Sequence, residues 1–109
     1  RWNATQLTTE LGQEGATCVA IPQTHAGLGP AWRELEKVIL EHRLHHGGHP
    51  VLRWMAGNVE TETDAAGNQK PSKARSSERI DGMVALTMAE ARLIVNVDES
   101  GLEPLVAWA

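Results

Sequence analysis

The sequence predicts a small α/β domain whose sheet is incomplete. Two long stretches carry apolar residues at helical spacing, around Leu35–Leu40 and around Ile80–Ala91. Two short runs read as strands, one apolar and branched, the other alternating with acids. The chain has 109 residues, room for one domain, and fewer strand-like runs than a self-sufficient sheet needs.

Each element follows from local pattern. Residues 3–12 read as a short helix capped by Asn3, with Leu7 and Leu11 on one face and Gly12 and Gly15 ending it. Residues 16–21 run Ala-Thr-Cys-Val-Ala-Ile up to Pro22, the pattern of a buried strand. Gly27, Gly29 and Pro30 mark residues 23–30 as a loop. A longer helix is expected over 31–45, with Trp32, Leu35, Val38, Ile39 and Leu40 on its apolar side and Gly47-Gly48 as its stop. After His49-Pro50, residues 51–55 read as a short helix or a buried irregular segment. Residues 59–63 read as a strand, 64–68 as a turn, and 69–77 as a polar, basic, extended stretch. The last helix is expected over 78–95, with Ile80, Val84, Thr87 and Ala91 on one stripe widened by Met83, Leu86 and Met88. Residues 1–95 form the domain in this reading. Residues 96–109 form a loosely ordered tail broken by Gly101 and Pro104.

Composition narrows the function classes. The formal net charge of −4 does not suit a chain that coats nucleic acid over its whole surface, so DNA contact requires a local basic patch. Cys18 is the one cysteine, so no internal disulfide forms, which suits a reducing cytoplasm. No apolar run is long enough for a membrane-spanning helix. With four Trp and neither Phe nor Tyr, Trp2, Trp32, Trp54 and Trp108 are the large anchors. The sequence opens at Arg1 as if in mid-element, which reads as a piece of a longer protein.

Three stretches carry a resemblance. They are Arg1-Trp2-Asn3-Ala4-Thr5-Gln6-Leu7; Leu35 through Leu44 with His46-Gly47-Gly48-His49-Pro50-Val51-Leu52-Arg53-Trp54-Met55; and Lys70-Pro71-Ser72-Lys73-Ala74-Arg75 followed by Glu78-Arg79-Ile80-Asp81-Gly82-Met83-Val84-Ala85-Leu86. Together they resemble the nuclease domain of phage terminase large subunits, in that family's order, over residues 1–92. The resemblance implies an RNase H-like fold, a mixed sheet flanked by helices with acids that hold Mg²⁺ or Mn²⁺. It implies that Asp81, in the Arg-Ile-Asp-Gly pattern, is the last of those acids. The other acids of the family lie before the Arg-Trp-Asn pattern and on an earlier strand, outside this chain. No Gly-x-x-x-x-Gly-Lys-Ser/Thr loop occurs, so the family's ATPase half is absent too; Gly27-Leu28-Gly29 lacks the lysine.

The residues also have readings of their own. By position alone, Asp81 is ordinary first-turn helix chemistry, where free N–H groups favour a carboxylate. The resemblance turns it into a metal ligand, and an ionised oxygen is what a hard divalent ion takes. Gly82, beside it, allows close approach of a substrate or a strand. Lys70, Lys73, Arg75 and Arg79 form either a phosphate-binding stretch or a solvated loop. His42, His45, His46 and His49 tempt a zinc reading, but no Cys or carboxylate completes a known spacing, and a basic helix end is the alternative. Cys18 reads as a packed, inert thiol. Glu60, Glu62 and Asp64 read as a solvated strand edge, with Glu62 or Asp64 near the metal if that face turns inward. Trp54 and Met55 read as core.

The function implied is metal-dependent cleavage of concatemeric viral DNA during genome packaging, in the bacterial host cytoplasm. The partners implied are double-stranded DNA, the portal protein and the small terminase subunit, with self-association through the unpaired edge of 16–21. With a single candidate ligand, the chain by itself is expected to be inactive. The alternative is a non-catalytic docking module for the portal or the small subunit.

Overall fold

The computed structural model describes residues 4–100. Its elements are α1 (Thr5–Gln13), α2 (His25–Leu40), α3 (Pro50–Asn58), β1 (Thr61–Thr63), β2 (Gln69–Pro71) and α4 (Asp81–Ser100). Helices and a two-stranded antiparallel sheet give the α/β class that the sequence predicts, with helix dominant.

The core is the contact of α2 with α4. Leu28, Ala31, Trp32, Leu35 and Val38 are buried along α2; Ile80, Met83 and Val84 are buried at the start of α4. Positions 28, 31, 35 and 38 repeat at three and four residues, so they line one helical stripe. The leucine and valine side chains among them contribute about 1.5–3 kcal/mol each when fully buried. The buried Thr87 hydroxyl is satisfied within its own helix, donating to the Met83 carbonyl at 2.7 Å. From α3, Leu52 and Met55 pack onto the Trp32, Leu35 and Met83 cluster.

Helix α2 starts six residues before its expected start and ends five before its expected end. Thr24 caps it, its hydroxyl oxygen accepting from Gly27 N at 3.0 Å. Gly27 has no room for a side chain, because a Cβ there would overlap the Pro22 carbonyl. Gly29 is buried against Asn68 and Gln69 of the hairpin. The loop residues of the sequence reading are thus the points where the helix is approached closely. Pro30 sits inside α2. Its missing N–H deprives the carbonyl of Ala26, and since Ala26 is exposed, water can take that place. At the far end His42 adopts a left-handed φ of 58°, and Arg43 N reaches back to Val38 O at 2.9 Å. The turn closes as a left-handed C-cap with His in the place usually held by Gly.

The stretch 16–21 is not a strand. It is without regular structure and largely exposed; Val19 is 46% exposed and Cys18 is an exposed free thiol, not a packed one. Helix α4 therefore packs on α2 and α3, not on this stretch, and no strand edge exists there to recruit a second chain. Helix α1 buries none of its residues. Its N-cap position is Ala4, with no side-chain cap, and Asn3 lies outside the described residues. Trp32 is the buried anchor; Trp54 is 48% exposed, and Trp2 and Trp108 lie outside the described residues. At the other end α4 runs on to Ser100, through the first part of the expected tail, and Gly101 and Pro104 lie outside the described residues.

Candidate functional site

The hairpin and the turn after it deliver the candidate residues. Strands β1 and β2 pair with Thr61 opposite Pro71, Glu62 opposite Lys70 and Thr63 opposite Gln69. Asp64 closes the hairpin, its Oδ1 accepting from Ala66 N at 3.0 Å and Asn68 N at 2.8 Å. These bonds, that from Asn68 foremost, hold its carboxyl below the usual range. Beyond β2, Ser72 is fully buried. Its backbone N–H donates to Glu60 O at 2.8 Å, and its Oγ accepts from Arg75 N at 3.2 Å. The Ser76 hydroxyl donates to the Ser72 carbonyl. Residues 72–76 are thereby folded into a fixed turn with Lys73 at its head.

A second anchor fixes the approach to α4. Asn58, buried at the end of α3, donates from Nδ2 to Arg79 O at 3.1 Å, and its carbonyl accepts from Ser77 N at 3.4 Å. Ile80 immediately precedes α4, its carbonyl accepting from Met83 N and Val84 N. Its side chain offers no capping oxygen. The Met55 sulfur takes up one of the unpaired helical donors instead, Gly82 N at 3.1 Å. A Cβ on Gly82 would sit 2.9 Å from that sulfur and 3.3 Å from Leu52 Cδ1. The glycine thus makes room for α3, not for a substrate or a strand.

Asp81 follows in the first turn of α4, exposed, with its Oδ1 3.0 Å from Lys73 Nζ. Lys73, Ser76, Glu78, Arg79, Ile80 and Asp81 line one cleft of about 350 Å³. Lys73, Arg79 and Asp81, three of the expected site residues, thus come together. Lys70 and Arg75 do not line the cleft. Lys70 is drawn into the hairpin by Glu62, at 3.5 Å, and Arg75 stands exposed on the 72–76 turn. Glu78 is the addition: in the sequence it figures only within the stretch Glu78–Leu86, yet it lines the cleft with Asp81. Its spacing of three residues before Asp81 is the signal available in the sequence.

The other acids and the histidines have separate work. Glu62 faces Lys70 and His25 Nε2, both at 3.5 Å. A hydrogen bond from Ser72 is the main cause that lowers its carboxyl from the usual range, with Lys70 and His25 adding to it. Neither Glu62 nor Asp64 lines the Asp81 cleft. Because α2 ends at Leu40, His42, His45 and His46 share no helix face. His46 Nδ1 accepts from Gly48 N at 3.0 Å, and His49 Nδ1 caps α3 by accepting from Val51 N at 3.2 Å.

A divalent ion near phosphate needs oxygen ligands from more than one element. Among the described residues no group of three or more His, Cys, Asp or Glu is arranged to hold a metal ion. The exposed carboxylate of Asp81 at a helix N-terminus fits one arm of such a ligand set, and only one. No helix among the described residues is long and apolar enough to cross a membrane.

Known proteins resemble this chain in both sequence and structure. The terminase large subunit of Enterobacteria phage HK97 is 39% identical over 103 residues, 93% of this chain and 20% of the phage protein. A protein named YmfN of Escherichia coli is 35% identical over 103 residues, 93% of this chain and 23% of that protein. The crystal structure of the HK97 bacteriophage large terminase superposes with a TM-score of 0.74 at 39% identity, over 84% of this chain and 20% of that one. The chain thus spans about one fifth of the length of the relatives it matches. The family described as terminase large subunit, endonuclease domain, matches residues 1–96, and the chain belongs to that family.

Proposed function

We propose that this chain contributes one metal-binding carboxylate and a phosphate-binding edge to a terminase endonuclease that cuts concatemeric viral DNA. The observation behind the reading is the cleft at the start of α4, where Asp81, Lys73 and Arg79 converge. Asp81 holds a divalent cation, Mg²⁺ or Mn²⁺, together with acids supplied from outside the described residues. Held there, such a cation would supply Lewis-acid charge stabilisation for phosphodiester hydrolysis. Lys73 and Arg79 hold backbone phosphate oxygens at the cleft, while Arg75 and Lys70 lie further along the same chain and extend the basic edge. The net charge of −4 confines DNA contact to this edge. Such an enzyme works on viral DNA in the bacterial host cytoplasm, in company with the portal and the small terminase subunit.

The test uses a longer polypeptide that carries the whole nuclease domain. Asp81→Asn keeps the shape and removes the charge. DNA cleavage with Mn²⁺ or Mg²⁺ should fall by orders of magnitude with an unchanged melting temperature, while the 109-residue chain alone cuts nothing. A folded Asp81→Asn protein that cuts like its parent ends the metal-ligand reading.

One observation favours the docking reading as a second role. An apolar cleft of about 400 Å³ lies between α2, α3 and α4, lined by Ile39, Leu44, Leu52, Met83 and Leu86 among others. In that reading Ile39→Asp, at a lining residue that is 43% exposed, impairs packaging with the portal or the small subunit and spares DNA cleavage.

A further inference from the structure

We propose that residues 101–109 of this chain fill the apolar cleft between α2, α3 and α4, with Glu103 against Arg53. The inference stands apart from the role of Asp81. Ile39, Leu44, Leu52, Met83 and Leu86 form most of the cleft's wall, and its volume is about 400 Å³. Ile39 is exposed, so the described residues leave apolar surface facing water there. The ionisable side chains of the lining are His42, His46 and Arg53, with no acid among them. Arg53 makes no ion pair among the described residues. His46 Nδ1 accepts from Gly48 N at 3.0 Å, so its proton sits on Nε2, which can donate to a carboxylate. The cleft therefore suits an apolar segment that carries an acid and no base.

The chain after Ser100 has that chemistry. Residues 101–109 read Gly-Leu-Glu-Pro-Leu-Val-Ala-Trp-Ala, with Leu102, Leu105, Val106 and Trp108 as large apolar side chains, Glu103 as the one acid, and no base. The reach is sufficient as well. Helix α4 runs to Ser100, about 21 Å along its axis beyond Leu86, and residues 101–109 span about 30 Å when extended. Gly101 and Pro104 are residue types that end a helix and turn the chain. Leu93, seven residues after Leu86 on the same face of α4, is half-buried, so the return path runs along apolar surface. A partner that docks in this cleft competes with the chain's own segment.

The experiment is amide spectroscopy of the full ¹⁵N-labelled chain carrying Cys18→Ser and Ala109→Cys, with a nitroxide on the introduced thiol. The amide spectrum itself reports that each variant is folded. Amide signals of residues 39–46 and 52–56 should broaden, and Leu105→Asp should abolish that broadening. Arg53→Glu should lower the occupancy about two- to fivefold, and adding Glu103→Arg should restore it. Broadening confined to the last turns of α4, or broadening that survives Leu105→Asp, overturns the inference. Unchanged broadening in Arg53→Glu overturns the pairing with Glu103. The same broadening in a ¹⁵N-labelled chain without nitroxide, mixed with spin-labelled chain, makes a second copy the occupant and overturns the inference too.

Discussion

The α2–α4 contact and the cleft at residues 73–81 meet at one helix end and are built on opposite terms. Ile80 is buried and Asp81, next to it, is exposed. On one side of that peptide bond, apolar side chains interlock and every change of volume or charge is felt. On the other, charged groups face water, so their removal leaves the fold standing and alters what the cleft can hold. Stability and chemistry are therefore separable in this chain by substitutions four residues apart or fewer.

The largest expected effect tests the buried side. Val84→Asp places an unpaired carboxylate between α4 and α2 and should cost several kcal/mol, on the order of 3–5. Thermal unfolding at the parent's melting temperature would refute this packing. Next comes the entry to α2. Gly27→Ala gains about 1 kcal/mol of helix propensity. It must also push the Pro22 carbonyl aside. The net should be destabilising by about 1–3 kcal/mol, the usual cost of overpacking. A stabilised Gly27→Ala protein in urea unfolding would show that residues 16–23 are not held where they lie.

A smaller effect sits on α4 itself. Burial raises the Glu90 carboxyl from its usual 4.5, nearby Glu34 adds to this, and Arg43 partly opposes it. A folded state that binds the proton more tightly than the unfolded one is favoured at low pH. That contribution is lost as pH rises from the usual value through the raised one. Glu90→Gln should remove this slope and gain stability at neutral pH. Asp64 has the opposite sign. Its carboxyl is lowered from 3.8, so its contribution is present above that value and lost as pH falls. Denaturation curves of Glu90→Gln and Asp64→Asn across pH 3–7 should thus diverge in opposite directions from the parent. Parallel curves would count against both assignments. The smallest effect is Lys73→Met, within about 0.5 kcal/mol of the parent by calorimetry, as befits an exposed pair.

Much of this was legible from local pattern. The long stripes of α2 and α4 and the hairpin turn at Asp64 follow from spacing and turn chemistry, because the forces behind them act within a few residues, whereas residues 51–55 stayed open between a short helix and an irregular segment. The three stretches together pointed to the family, and the Arg-Ile-Asp-Gly pattern in the last of them pointed to Asp81. Other features depended on distant neighbours. Gly27, Gly29 and Pro30 read as a loop because their propensities oppose helix, yet burial of Leu28 and Ala31 outweighs propensity. His42 stops α2 through a left-handed turn that composition does not announce. Residues 16–21 have the composition of a strand, but a strand requires a partner, and none pairs with them among the described residues.

By itself, then, the sequence determined the helical stripes, the turn and the one acid worth testing, each written in residues close together along the chain, and the family, written in three stretches in order. Only the tertiary structure decided that α4 packs on α2, that Gly82 makes room for Met55, that Lys70 is tied to the hairpin, and that Lys73 meets Asp81. Those are matters of which surfaces exclude water together and which charges end up within a few ångströms, and neither is set by neighbours in sequence.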